Sequence, residues 1–200
     1  MKKIQLATKL VDFFEEFDHY NFKENMQGDK EDEIYRISSS FFSIDSINQI
    51  INQLTNFSLS AKEENKKEYQ KLEEIIDDLQ DYKERNSLDV LVLQPNKVPY
   101  HKTIINDYES IEREINGNVS VYSYRDNYSL YCDDNGFEKR LEENRVINDN
   151  LIVGKFLIIA HNENGRISLT KKEIQDLSYE LKNYIKEENI DLELGGNKLC

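Results

Sequence analysis

Carboxylates are the side chains of this chain best placed to do chemistry, and they come in sets. Glu73-Glu74 and Asp77-Asp78 stand one helical turn apart, a spacing that could hold a cation or serve acid–base work. Beside Leu72, Ile76 and Leu79 the same spacing reads as the solvated face of an amphipathic helix. Asp29, Glu31, Asp32 and Glu33 form a second acidic set. Asp133, Asn135, Gly136 and Glu142 match positions of a calcium loop, but Tyr131 stands where its first carboxylate belongs. Asn135-Gly136 therefore reads as a turn. His19, His101 and His161 are scattered, and none pairs at i, i+4 with another ligand. No metal and no cofactor is expected. Cys132 precedes Asp133 and Asp134, neighbours that disfavour a thiolate, and reads as an ordinary, half-buried, reduced cysteine.

Two further sets carry chemistry. Tyr131, Asp133, Asp134 and His161, with Arg125, Arg140, Arg145 and Arg166 on loops around the sheet, are types that a hydrolase of nucleic acid would use. Arginines beside Tyr122, Tyr124, Tyr128 and Tyr131 could also stack on single-stranded RNA. The overall charge opposes direct nucleic-acid binding. The 200 residues carry 39 acids against 26 Lys and Arg, a net charge of −13. The acids are not a tail: residues 1–87 hold 19 acids and 12 bases. Interspersed with patterned apolar residues, they describe a folded acidic surface that repels nucleic acid and attracts basic partners.

The elements that must position these residues change character near residue 87. Ile4, Ala7, Leu10, Val11, Phe14 and Phe17 share one helical face. Residues 18–33 read as a loop, and Ile34, Ile37 and Phe41 suggest a short helix. Asp45 is the expected N-cap of a third helix carrying Ile47, Ile50, Ile51 and Leu54. Ser60 and Glu63 spell a capping box that would open a fourth, running to about Lys83.

Beyond that point strand patterns appear. Leu88 to Leu93 reads as a buried strand ended by Pro95, with 100–105 as its partner. Asp107 should cap a helix stopped at Gly117. A hairpin over 119–132 follows, then one long strand over 152–160, the Asn164-Gly165 turn, and a capping box at Thr170 and Glu173 opening the last helix. The expected class is α+β. A helical region, 1–86, precedes an α+β domain, 87–200, with a mainly antiparallel sheet and helices on one face. The longest apolar stretch, 151–160, is broken by Gly154-Lys155 and is too short to span a bilayer. With no signal-peptide pattern at Met1-Lys2-Lys3 and only two cysteines, the expectation is a cytoplasmic protein with reduced thiols.

The C-terminal half also resembles a known family. A strand runs into Pro95-Asn96-Lys97. A helix ends at Ile115-Asn116-Gly117. A strand ends in Cys132-Asp133-Asp134-Asn135-Gly136, followed by Asn144-Arg145 and by 152–159. This order is similar to the domain of unknown function 3846 of phages and conjugative elements. Asp18, Tyr20, Phe22 and Asn25 resemble a helical module of conjugative-element accessory proteins. These resemblances imply a mobile genetic element as context and supply no catalytic residue.

The leading expectation is a non-enzymatic accessory protein. It would bind and block a host protein with a basic surface, a nucleic-acid-handling defence factor, in the manner of an antirestriction or anti-CRISPR nucleic-acid mimic. Asp29, Glu31, Asp32, Glu33, Glu73, Glu74, Asp77 and Asp78 are the candidate contacts. The alternatives are a nuclease acting on guide RNA or DNA, and an assembly module of conjugation or replication machinery.

Overall fold

The structure, a computed structural model, describes residues 2–17, 28–40, 43–183 and 198–199. They divide into two units, Met1–Asn86 and Ser87–Cys200.

The first unit contains α1 (Lys3–Phe17), α2 (Lys30–Ser40), α3 (Ile44–Glu64) and α4 (Lys66–Asn86). Its core is built from apolar residues at helical spacing: Leu6, Ala7, Leu10, Val11 and Phe13 of α1, Ile47, Ile51 and Leu54 of α3, and Leu72, Ile75, Ile76, Leu79 and Tyr82 of α4. Three boundaries differ from the sequence reading. Residues 30–33 belong to α2 and not to a loop, because Asp29 and Asp32 cap each other. The Asp32 N–H donates to Asp29 Oδ1 at 3.0 Å and the Asp29 N–H to Asp32 Oδ2 at 3.4 Å. Ser43 caps α3 in place of Asp45, accepting from the Ser46 N–H at 3.0 Å. The break expected at Ser60 falls at Asn65, whose Oδ1 accepts from the Glu68 N–H at 3.2 Å. Residues 59–64 include Leu, Ala, Lys and two Glu, good helix formers that carry α3 past Ser60. The stretch 18–27 and Phe41 lie outside the described residues.

The second unit is α+β. Its elements are β1 (Ser87–Leu93), β2 (Tyr100–Ile105), α5 (Tyr108–Ile115), β3 (Val119–Arg125), β4 (Tyr128–Asp133), β5 (Glu143–Ile147), β6 (Asn150–Val153), β7 (Phe156–Asn162), β8 (Gly165–Ile167), α6 (Lys171–Glu180) and β9 (Lys198–Leu199). An antiparallel sheet runs β2-β1-β7-β4-β3, with β8 on β7. A second sheet runs β5-β6-β9, where β9 lies parallel to β6. Strand alternation sorts the main sheet into two faces. Leu88, Val90, Val92, Tyr131, Leu157 and Ile159 meet Ile111 and Ile115 of α5. Leu91, Leu93, Leu130, Cys132, Phe156 and Ile158 meet Leu177 of α6, Leu181 at its C-cap, and Ile147 and Ile152 of the second sheet. The α+β class stands, but the helices occupy opposite faces, because both sides of β1 and β7 are apolar and both need cover.

The second sheet corrects the reading of 152–160 as one strand. Gly154, at φ +69°, breaks it into β6 and β7, and a Cβ there would strike Leu141. β5 pairs with β6 through Asn148-Asp149, both left-handed at φ 50° and 62°, the geometry of a two-residue hairpin.

Candidate functional site

α4 is amphipathic, so its buried stripe dictates which acids face water. Glu74, Asp77, Asp81 and Glu84 are all exposed and fall at i, i+3, i+7 and i+10, opposite Leu72, Ile76 and Leu79. At 1.5 Å per residue they line about 15 Å of helix. Asp81 accepts from Arg85 at 2.8 Å; the side chains of Glu74, Asp77 and Glu84 make no hydrogen bond to the described residues. The stripe is not placed for stability. Glu73–Asp77, Glu74–Asp78 and Asp77–Asp81 are like-charge i, i+4 pairs, each costing about 0.2–0.5 kcal/mol. Glu84 also sits in the last turn, where the helix dipole disfavours a negative charge.

The eight acids singled out in the sequence divide into two groups. Asp29 and Asp32 cap α2. Glu33 is 2% exposed and closes on Arg36, 2.9 Å to Nε. Glu73 accepts from Ser58 of α3 at 2.7 Å. Asp78 pairs with Lys9 of α1. Glu31, Glu74 and Asp77 remain open to solvent. Asp81 and Glu84, which sequence reading missed, were signalled by their spacing from Asp77.

Other ion pairs hold the unit together. Glu16 of α1 takes Lys67 at 2.7 Å and also Lys71, and hydrogen bonds from both lysines hold its carboxyl below the usual range. Lys30 meets Asp12 at 2.7 Å and Glu15 at 2.6 Å, which raises its ammonium pKa. Between α1 and α4 an open cleft of about 170 Å³ is lined by Lys9, Asp12, Phe13, Lys71, Glu74 and Ile75.

In the α+β unit both carboxylates of the nuclease set hold other partners. Asp133 is 1% exposed and accepts from Lys139 at 2.5 Å and from the Asn135 N–H at 3.1 Å. Asp134 accepts from Ser120. Arg125 pairs with Glu180, and Arg145, expected on a surface loop, is 2% exposed. No group of three or more His, Cys, Asp or Glu among the described residues could hold a metal. Asp133 also explains Gly117: a Cβ there would overlap its carboxylate. Gly117→Ala is expected to destabilise this unit by about 1–3 kcal/mol, read as a lower urea midpoint.

The stacking platform fails for a different reason. Tyr122, Tyr124 and Tyr128 pack in the core under α6, whereas Tyr131 faces α5. Tyr124 donates to Glu180 at 2.7 Å and Tyr128 to Glu173 at 2.7 Å. Burial first, then the Glu180 hydrogen bond, pushes the Tyr124 hydroxyl up to about 12. The expected capping box is present: Thr170 Oγ1 accepts from the Glu173 N–H at 3.2 Å, and Glu173 accepts from the Thr170 N–H at 2.7 Å. Hydrogen bonds from Thr170, first, and then Tyr128 hold the Glu173 carboxyl below the usual range. A carboxyl lowered in the folded state stabilises it above the unfolded pKa, and that contribution is lost as pH falls through the folded value. Amides of α6 should therefore lose hydrogen-exchange protection in that acid window. Glu173→Gln, which cannot titrate, should flatten the response; a variant as acid-sensitive as the parent would assign the loss to another group.

Cys132 is 0% exposed and disulfide-bonded, in place of the reduced, half-buried thiol expected. The chain's other cysteine, Cys200, lies outside the described residues; β9 ends at Leu199 against Ile152, which shares Cys132's core. No helix among the described residues is long and apolar enough to cross a membrane.

Comparison with the curated proteins and with the solved structures found no match to either. Residues 88–182, from β1 to the end of α6, match the family model described as Domain of unknown function (DUF3846).

Proposed function

We propose that this chain is a non-enzymatic binding protein whose acidic helical surface occupies the basic groove of a nucleic-acid-handling protein. Its concrete form is an anti-defence inhibitor of antirestriction or anti-CRISPR type, carried by a mobile genetic element. The observation that carries the reading is the exposed stripe Glu74, Asp77, Asp81 and Glu84 on α4, kept at a cost to helix stability. A rigid helix presenting spaced carboxylates offers a groove built for phosphates a similar charge pattern without flexible ends to order. The net charge of −13 steers such a partner into contact. On this reading the partner is met in the cytoplasm. That compartment keeps most thiols reduced, so the Cys132 disulfide is the feature that argues for an oxidising one.

The test is capture from a bacterial lysate on the immobilised chain, at low and high salt, with and without competing duplex DNA. The reading requires a basic nuclease or restriction subunit that both salt and DNA release. Capture that DNA leaves untouched would point to an assembly partner and overturn the reading.

A further inference from the structure

We infer that the α+β unit carries a binding site for a phosphate monoester, built on Arg166 and independent of the acidic stripe. In this acidic chain three described arginines meet a carboxylate: Arg36 meets Glu33, Arg85 meets Asp81, and Arg125 meets Glu180. Arg166 of β8 does not. Its Nε donates to Asn106 Oδ1 at 2.9 Å, the Asn106 amide donates back to the Arg166 carbonyl at 3.4 Å, and the Tyr131 hydroxyl lies near the guanidinium. Both neighbours, Asn106 and Tyr131, are neutral. The guanidinium is half-buried and held in place, yet no carboxylate among the described residues pairs with it.

Strand register gathers further polar groups around it. His161 lies directly opposite Arg166 across β7 and β8, on the same face as Ile159 and Tyr131. Its Nδ1 lies 3.5 Å from Ser129 Oγ of β4, which leaves Nε2 outside that contact. Arg166, His161, Ser129 and Tyr131 thus form one patch of guanidinium, imidazole and two hydroxyls on the α5 face. Planar guanidinium donors match phosphate oxygens, and a cation whose orientation is already fixed costs less to use. Val121, opposite Tyr131 on β3, is 50% exposed and offers an apolar rest for the ester group.

The test uses the full chain in nuclear magnetic resonance titrations at constant ionic strength, following the Arg166 Nε–H and His161 ring signals. The probes are inorganic phosphate and uridine 5′-monophosphate. Saturable shifts at both residues are expected. Arg166→Gln should weaken binding at least about tenfold, and Ser129→Ala should weaken it several-fold. Arg140→Gln, at an exposed arginine outside the patch, should leave it unchanged. Tighter binding of the nucleotide would show that the ester group is read; equal affinities would assign the site to phosphate alone. If neither probe gives saturable shifts, or if Arg140→Gln weakens binding as much as the patch variants do, the inference is overturned. Should Arg166→Gln fail to fold, unchanged affinity in Ser129→Ala overturns it equally.

Discussion

Asp77→Asn, Asp81→Asn and Glu84→Gln together should make the helical unit more stable and the chain a poorer binder. The two effects are opposed because the stripe works against its own helix. The substitutions remove the like-charge pairs Glu73–Asp77 and Asp77–Asp81 and relieve the last turn of α4, while giving up the exposed Asp81–Arg85 pair. The balance is about 0.5–1 kcal/mol of stabilisation. Asn and Asp have similar helix propensities, so charge is the main variable. Partner affinity at low salt should fall by on the order of tenfold, with a shallower salt dependence, because three steering charges are gone. Asp78→Asn is the matched control. It breaks the pair with Lys9 that ties α4 to α1, so it should lower stability and leave affinity nearly unchanged. Urea unfolding and binding to the captured partner read both quantities. A triple variant that is less stable and binds as before would make the stripe structural and remove the main support for the proposed function.

What sequence could show of that site follows from what side-chain type and periodicity encode. The period of Leu72, Ile76 and Leu79 tells which face of α4 is wet, so Glu74 and Asp77 were legible as exposed. It does not tell which acids find a partner. Lys9 lies 69 residues from Asp78, and Ser58 lies 15 residues from Glu73 on a neighbouring helix; only the packing of α1, α3 and α4 brings these groups together. Glu33 fails for a local reason, since it is buried and its partner, the exposed Arg36, is one turn away. In the α+β unit, local signals were reliable: the Asp107 cap, the capping box at Thr170 and the pairing of 88–93 with 100–105 all depend on near neighbours. The second sheet was hidden because β6 and β7 form an apolar run interrupted only by Gly154-Lys155. A left-handed glycine between two strands of different sheets looks, in sequence, like a glycine within one. The division of helices between two faces was legible in principle, since Leu88 to Leu93 is apolar nearly throughout and not alternating.

Arg145→Met should cost the α+β unit about 3 kcal/mol or more, the largest single loss expected in this chain. Arg145 is 2% exposed, and its guanidinium donates to the carbonyls of Leu181 at 2.8 Å, Gln94 at 3.2 Å and Lys97 at 2.7 Å, and to Asn144 Oδ1. Asn144, 0% exposed, donates to the Leu93 carbonyl at 3.1 Å and to the Gly154 carbonyl. Two adjacent residues of β5 thereby tie the β1–β2 loop, the β6–β7 break and the end of α6 to one point. Pro95-Asn96-Lys97, Asn144-Arg145 and Gly154, separate landmarks along the sequence, become a single hydrogen-bonded lock. Methionine fills much of the same volume but leaves several buried carbonyls without donors, at about 1–3 kcal/mol for each that water cannot reach. Arg145→Lys should recover only part of the loss, because a point charge with three donors cannot reproduce the planar fork. Asn144→Ala should fall in the same range as Arg145→Met, and the double variant should cost less than the sum of the two, since they share one network. Urea titrations that follow amides of 88–183 separately from those of 2–86 would place the loss. Equal destabilisation by Lys and Met would show that the fork geometry is irrelevant and that charge alone is being satisfied. Additive costs in the double variant would show that the two side chains act independently and do not form a lock.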